Sequence, residues 1–171
     1  MSWLARHWLL LFNLVFGLYA GLPILAPVLM SWGWVRMANL IYFIYRPPVC
    51  HQMPSRSFFI GRFQVAICQR DLALYGGACL AGMVFALVRD RVRPLPIRVW
   101  IILIAPLAVD GVTQVLGLRL STWQLRTLTA LLASTATVWL VYPYLNSAFE
   151  DIEASAGSQL KKAGGTERGP T

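Results

Sequence analysis

Four apolar runs, separated by segments rich in arginine, proline and aromatic residues, organise this sequence. The first, residues 9–30, holds 22 positions without a charge. At about 1.5 Å of rise per residue, a helix of that length covers roughly 33 Å, enough for the hydrocarbon core of a bilayer. It follows Arg6 and His7 as a signal peptide would. It nevertheless outruns the roughly 7–15 residues of a cleavable apolar segment, and no A-x-A site ends it, so it reads as a retained signal-anchor helix. Pro23 and Pro27 are expected to bend its second half, which a membrane helix tolerates when neighbours satisfy the freed carbonyls.

The second run, residues 72–88, repeats Ala78, Gly82 and Ala86 at four-residue spacing, a face that lets another helix approach closely. The third, residues 99–118, contains a single acid, Asp110. The fourth, residues 125–145, carries Thr127, Ala130, Ser134 and Thr137 as a small, polar-tinged packing stripe. Residues 33–45, flanked or filled by Trp32, Trp34, Tyr42, Phe43 and Tyr45, are too few to cross a bilayer and read as an interfacial helix. Pro47 and Pro48 end it, because neither offers an amide proton. Residues 46–71 form a polar loop, and residues 147–171 a polar tail without periodicity, expected to be exposed and mostly disordered. The fold class is therefore all-α: a polytopic membrane bundle of about four transmembrane helices plus one short interfacial helix.

Composition agrees with the pattern. Hydrophobic residues make up 57% and charged residues 13%, against about 45–50% and about 25% for a soluble domain. A disordered chain, a disulfide-stapled miniprotein and an ordinary soluble enzyme are excluded. The net charge of +8 arises from 15 Lys and Arg against 7 Asp and Glu. Most of the Arg residues sit in short loops between apolar runs, so the partner they indicate is the lipid bilayer and not a nucleic acid. Residues 89–98 hold four Arg in ten positions, which directs that loop and both termini to the cytoplasmic side of a cell inner membrane. The five Arg spread over residues 32–71 pull the other way at lower density.

Three polar constellations remain. They are Cys50-His51-Gln52-Met53-Pro54-Ser55-Arg56-Ser57; Cys68-Gln69-Arg70-Asp71 with Tyr75-Gly76; and Asp110-Gly111-Val112-Thr113-Gln114, followed by Gly117, Arg119, Ser121 and Leu125-Arg126-Thr127-Leu128-Thr129. In this order they resemble an uncharacterised prokaryotic family of small predicted membrane proteins, a domain of unknown function. Its pattern is C-H-Q-x-P-x-R-S, C-x-R-C, Y-x-G, D-G-x-T-Q and L-R-x-x-T-G. The resemblance covers roughly residues 35 to 143 and departs at Asp71, where the family has Cys, and at Ala130, where it has Gly. It implies a polytopic fold and no established reaction.

An acid at mid-bilayer costs about 2.5–3.5 kcal/mol and is expected to face the bundle interior with a partner. Gln114 lies one turn from Asp110 and Thr113 close beside it, giving either a polar lock between helices or a proton-handling or substrate site. Arg126 and Arg56 are the expected cationic partners and the candidate clamps for an anion or lipid. Asp110 and His51 are the candidate catalytic groups. Cys50, His51, Cys68 and Asp71 could hold zinc through S, N and O ligands, Cys50 and Cys68 could form a disulfide in an oxidising compartment, or all four could be hydrogen-bonded structural residues. Adjacent Cys50 and His51 rarely reach one ion together, so no cofactor is assigned. Two functions compete. One is a non-catalytic accessory subunit of a larger membrane complex, motivated by the small-residue faces on two spans, the few convergent catalytic residue types and the polar tail. The other is a membrane-embedded enzyme or lipid- or anion-binding protein whose site forms where the Cys50–Asp71 loop folds over Asp110.

Overall fold

In the computed structural model, which describes residues 2–165, every apolar run is a helix. Helix α1 spans Ser2–Ser31 and continues unbroken through Pro23 and Pro27. Helix α2 is Val35–Ile44, α3 Gln69–Val88, α4 Ile97–Val115 and α5 Trp123–Gly165. Four of them are long and apolar enough to cross a membrane: His7–Ser31, Gln69–Val88, Ile97–Val115 and Trp123–Ile152. The ten residues of α2 rise only about 15 Å, too little to cross. The expected irregular tail is instead helical as far as Gly165; residues 166–171 lie outside the described residues.

The polar loop also differs from expectation. It contains an antiparallel hairpin, β1 Ser57–Ile60 and β2 Phe63–Cys68, in which Ile60 pairs with Phe63 across a Gly61-Arg62 turn. Gly61 has φ +60°, which suits the first position of a two-residue hairpin turn. Val65, Ala66 and Ile67 of β2 are buried with Ala26 and Leu29 of α1 and Ala38 and Ile41 of α2. The hairpin and α2 thus cap the end of the bundle where α1 finishes and α3 begins.

The bundle centre follows from small residues. A Cβ on Gly77 would lie 2.3 Å from Ser134 Oγ of α5, and one on Gly82 would lie 2.0 Å from Asn13 Oδ1 of α1 and 3.1 Å from the Tyr142 ring. Helix α3 therefore packs between α1 and α5 on Gly77, Ala78, Ala81 and Gly82, while Ala86, expected on that face, is exposed. Trp8 stacks on Phe149 at 5.4 Å, so the start of α1 and the extension of α5 share one end of the molecule. Most of the α3 stripe thus packs inside this chain, with Ser134 of the α5 stripe against it.

Helix α4 is the outlier. It packs mainly on α5, with Trp100 Nε1 donating to Thr137 Oγ1 at 3.1 Å. Most of its apolar residues face outward, and its buried residues are Asp110 and Gln114. An apolar helix with a polar inner face fits a bilayer on one side and a polar partner on the other.

Candidate functional site

The site is assembled at the capped end of the bundle by the first turn of α3. Cys68 is the N-cap: its Sγ accepts from the Asp71 N–H at 3.5 Å. Successive side chains on a helix are turned by about 100°, so one turn addresses several neighbours at once. Gln69 donates to the Ser57 carbonyl of β1 at 3.2 Å and accepts from Arg126 Nη1 of α5 at 3.1 Å. Arg70 Nη2 donates to Asp110 Oδ2 of α4 at 2.5 Å and to Gln114 Oε1 at 3.1 Å.

Asp110 has a second cation. Helix α4 ends in a Gly117 cap with φ +69°, where the Gly117 N–H donates to Gln114 O and the Leu118 N–H to Thr113 O. This reversal sends Arg119 back along α4, where Nη2 donates to Asp110 Oδ1 at 3.0 Å and Nε to Thr113 Oγ1 at 3.1 Å. The Asp110 side chain is 1% exposed, against 24% for Arg70 and 44% for Arg119.

The partners expected from sequence are therefore corrected. Neither Arg126 nor Arg56 bonds to Asp110. Arg126 is buried and donates to Gln69 Oε1, to the Ser55 carbonyl at 3.3 Å and to the Ser121 carbonyl at 2.6 Å, tying α5 to the polar segment. Arg56 lines a cavity of about 180 Å³ together with Cys50, His51, Cys68, Arg70 and Asp71. Thr113 and Gln114 do join Asp110, each through an arginine. Among the described residues, Arg70 Nε and Gln114 Nε2 beside Asp110, and Arg126 Nε next to them, are buried without a partner, so the unfilled positions are N–H donors.

Cys50, Cys68 and Cys79 are free thiols. The Cys68 N–H donates to Cys50 Sγ at 3.3 Å, and Cys68 Sγ donates to Asp71 Oδ2 at 3.1 Å. The side-chain interaction between the two cysteines lowers the Cys50 thiol to a pKa of about 6, and that interaction together with burial pushes the Cys68 thiol up. The sulfurs of Cys50 and Cys68 and a carboxylate oxygen of Asp71 lie within 4.8 Å of one another; His51, exposed, lines the cavity outside that trio.

Gln52 had no role in the sequence reading beyond its place in the motif. It adopts a left-handed conformation, φ 49°. Its Nε2 donates to Tyr42 O at 2.8 Å and Ala66 O at 3.0 Å, while its carbonyl accepts from Gln64 Nε2 at 2.7 Å. It fastens the Cys50-bearing segment to α2 and β2.

Residues 50–140, from the first cysteine of this site through α3 and α4 into α5, match the model of the predicted membrane protein family DUF2085. The chain belongs to that family. An uncharacterized protein of Methanocaldococcus jannaschii is 34% identical over 112 residues, 64% of this chain and 71% of that protein. An uncharacterized protein of Methanothermobacter thermautotrophicus is 29% identical over 83 residues, 48% of this chain and 75% of its own. No solved structure matches. In this DUF2085 member the matched region contains Cys50, Cys68, Arg70, Asp110, Arg119 and Arg126.

Proposed function

We propose that this protein is a membrane-embedded binding protein for an anionic lipid, whose headgroup is taken at the Arg70–Asp110–Arg119 cluster and whose acyl chain lies along α4. One observation carries the reading: two guanidiniums meet one buried carboxylate, and the cluster has N–H donors left over. A site with surplus positive charge and surplus donors is complementary to an anion. Arg70 also forms the polar end of a cavity of about 340 Å³ whose apolar wall includes Leu107, Ala108, Val112, Val115 and Leu116. A cationic end on an apolar groove suits an amphiphile.

The accessory-subunit reading rested in part on small-residue faces available to other helices. Gly77, Gly82 and Ser134 meet within the chain, which takes up most of those faces, while Ala86 stays exposed. Our reading of the dense Arg loop between α3 and α4 puts both termini on the cytoplasmic side of the inner membrane.

Native mass spectrometry of the full chain in detergent tests the proposal. Phosphatidylglycerol, phosphatidylcholine of the same acyl chains, and inorganic phosphate are the probes. One phosphatidylglycerol should be held at least about tenfold more tightly than phosphatidylcholine, the worth of one charge-assisted hydrogen bond. Arg70→Gln and the groove-filling Ala108→Phe should each abolish the preference. Phosphate competing as well as the lipid would assign the site to a free anion. Equal retention of the two lipids, or a preference unchanged in both variants, would overturn the reading.

A further inference from the structure

The cavity at the N-terminus of α3 holds a donor set that lipid binding does not use. Cys50, Cys68 and Asp71 converge there from two separate stretches of chain, with ligand atoms within 4.8 Å of one another. We propose that these three residues form a metal-ion site for a thiolate-preferring divalent cation of the zinc class. This inference rests on a different observation from the lipid reading and stands or falls separately.

Two sulfurs bound to one tetrahedral ion at about 2.3 Å lie roughly 3.8 Å apart, so the trio needs to contract by about an ångström at most. The ligand types suit such an ion: two thiolates and one carboxylate are S and O donors that zinc accepts, whereas magnesium and calcium favour oxygen alone. A proton now occupies part of the site, donated by Cys68 Sγ to Asp71 Oδ2 at 3.1 Å. Metal binding replaces it, the thiol protons leaving to solvent as the sulfurs become thiolates. Three anionic ligands on a dication leave one excess negative charge, and Arg56 and Arg70 line the same cavity to offset it.

The scaffold is fixed before any ion arrives. The Cys68 N–H bonds to Cys50 Sγ, the Asp71 N–H to Cys68 Sγ, and Gln52 anchors the Cys50 segment to the Tyr42 and Ala66 carbonyls. Such outer contacts orient ligands and raise affinity. Three protein ligands leave a fourth position facing the cavity, where His51 also stands.

Full-length protein, purified without a histidine tag, reduced and stripped with chelator, is titrated with Co²⁺ and followed by absorption. One Co²⁺ per chain should produce a thiolate-to-cobalt charge-transfer band that Zn²⁺ then erases. Cys50→Ser and Cys68→Ser should each lose the band. Asp71→Asn should weaken binding at least tenfold, and Asp71→Cys should tighten it and intensify the band. Ala108→Phe, in the lipid groove, should leave cobalt binding unchanged. Absence of the band in the wild type, or its survival in both serine variants, overturns the proposal. If the serine variants do not accumulate, equal affinities in wild type, Asp71→Asn and Asp71→Cys overturn it. A Cys50–Cys68 disulfide in protein from unreduced membranes does so too.

Discussion

Replacing Asp110 by Asn leaves two guanidiniums facing a neutral amide, and the size of the effect follows from how buried each partner is. Breaking a buried ion pair by removing one partner costs about 3–5 kcal/mol, whereas exposed pairs are worth about 0–1 kcal/mol. Arg70 is 24% exposed and keeps Gln114 Oε1 as an acceptor. Its share is discounted on both grounds to about 2 kcal/mol. Arg119 is 44% exposed and keeps Thr113 Oγ1, so it adds about 0.5 kcal/mol or less. Asn retains one carbonyl oxygen, which recovers part of one bond, so the net loss is about 2 kcal/mol. Reversible unfolding in mixed micelles, read by circular dichroism, measures it. Double-mutant cycles then apportion it: Asp110 with Arg70→Gln should couple by about 1.5 kcal/mol and stay nearly salt-independent, while Asp110 with Arg119→Gln should couple by under about 0.5 kcal/mol and fade with salt. Equal couplings for the two arginines, or an Asn variant as stable as wild type, would refute the argument from burial.

Three further outcomes are expected. Gly82→Ala should destabilise by about 1–3 kcal/mol through overpacking, because its Cβ meets Asn13 and Tyr142, while Gly76→Ala, 3.9 Å from the Ala20 Cβ, should be neutral or slightly stabilising; thermal melting in detergent compares them, and equal losses would contradict the packing. A protease site inserted at Gly61-Arg62 should be cut in spheroplasts, and one at Arg93 only after lysis, since α1 and α3 run antiparallel with the hairpin at one end and the Arg loop at the other; cleavage of both from one side would exclude a four-span arrangement. In metal-free protein the lowered Cys50 pKa places the thiolate above, and the thiol below, about pH 6. Its alkylation by iodoacetamide should therefore rise through that pH and be flat from about 7 upward, whereas an ordinary thiol keeps gaining reactivity toward about 8.5. A midpoint above 8 would contradict the hydrogen-bonding account.

The spans were legible because a bilayer imposes one simple demand, a long apolar helix, and each of the four runs lies within such a helix, α5 continuing well beyond its run to Gly165. The hairpin was not, although Ser57–Ile60 and Phe63–Cys68 are rich in Phe, Val and Ile around a Gly-Arg pair. Counting that stretch as a polar insert hid the strand signal of β-formers bracketing a two-residue glycine turn. Asp110 was legible as a buried acid in need of a cation, but its partners were not. Arg126, in the first turn of α5, is claimed by Gln69 and by the Ser55 and Ser121 carbonyls; Arg119 reaches Asp110 because of the Gly117 reversal, a backbone event that helical spacing does not encode. The Gly117 signal was present in the sequence as a glycine closing an apolar run.

The first turn of α3 explains why the polar residues of three separate segments end up together. Cys68, Gln69, Arg70 and Asp71 are consecutive, and each has a different obligation: Cys50, the Ser57 carbonyl with Arg126, Asp110 with Gln114, and Cys68 itself. A change at any one alters the angle at which the turn leaves β2, and so reaches the others through the backbone. Substitutions here are therefore expected to be non-additive. By the same reasoning, an ion on Cys68 and Asp71 and a headgroup on Arg70 would bind to one rigid turn. Any effect of the first on the affinity of the second must then be matched by an equal effect in the other direction.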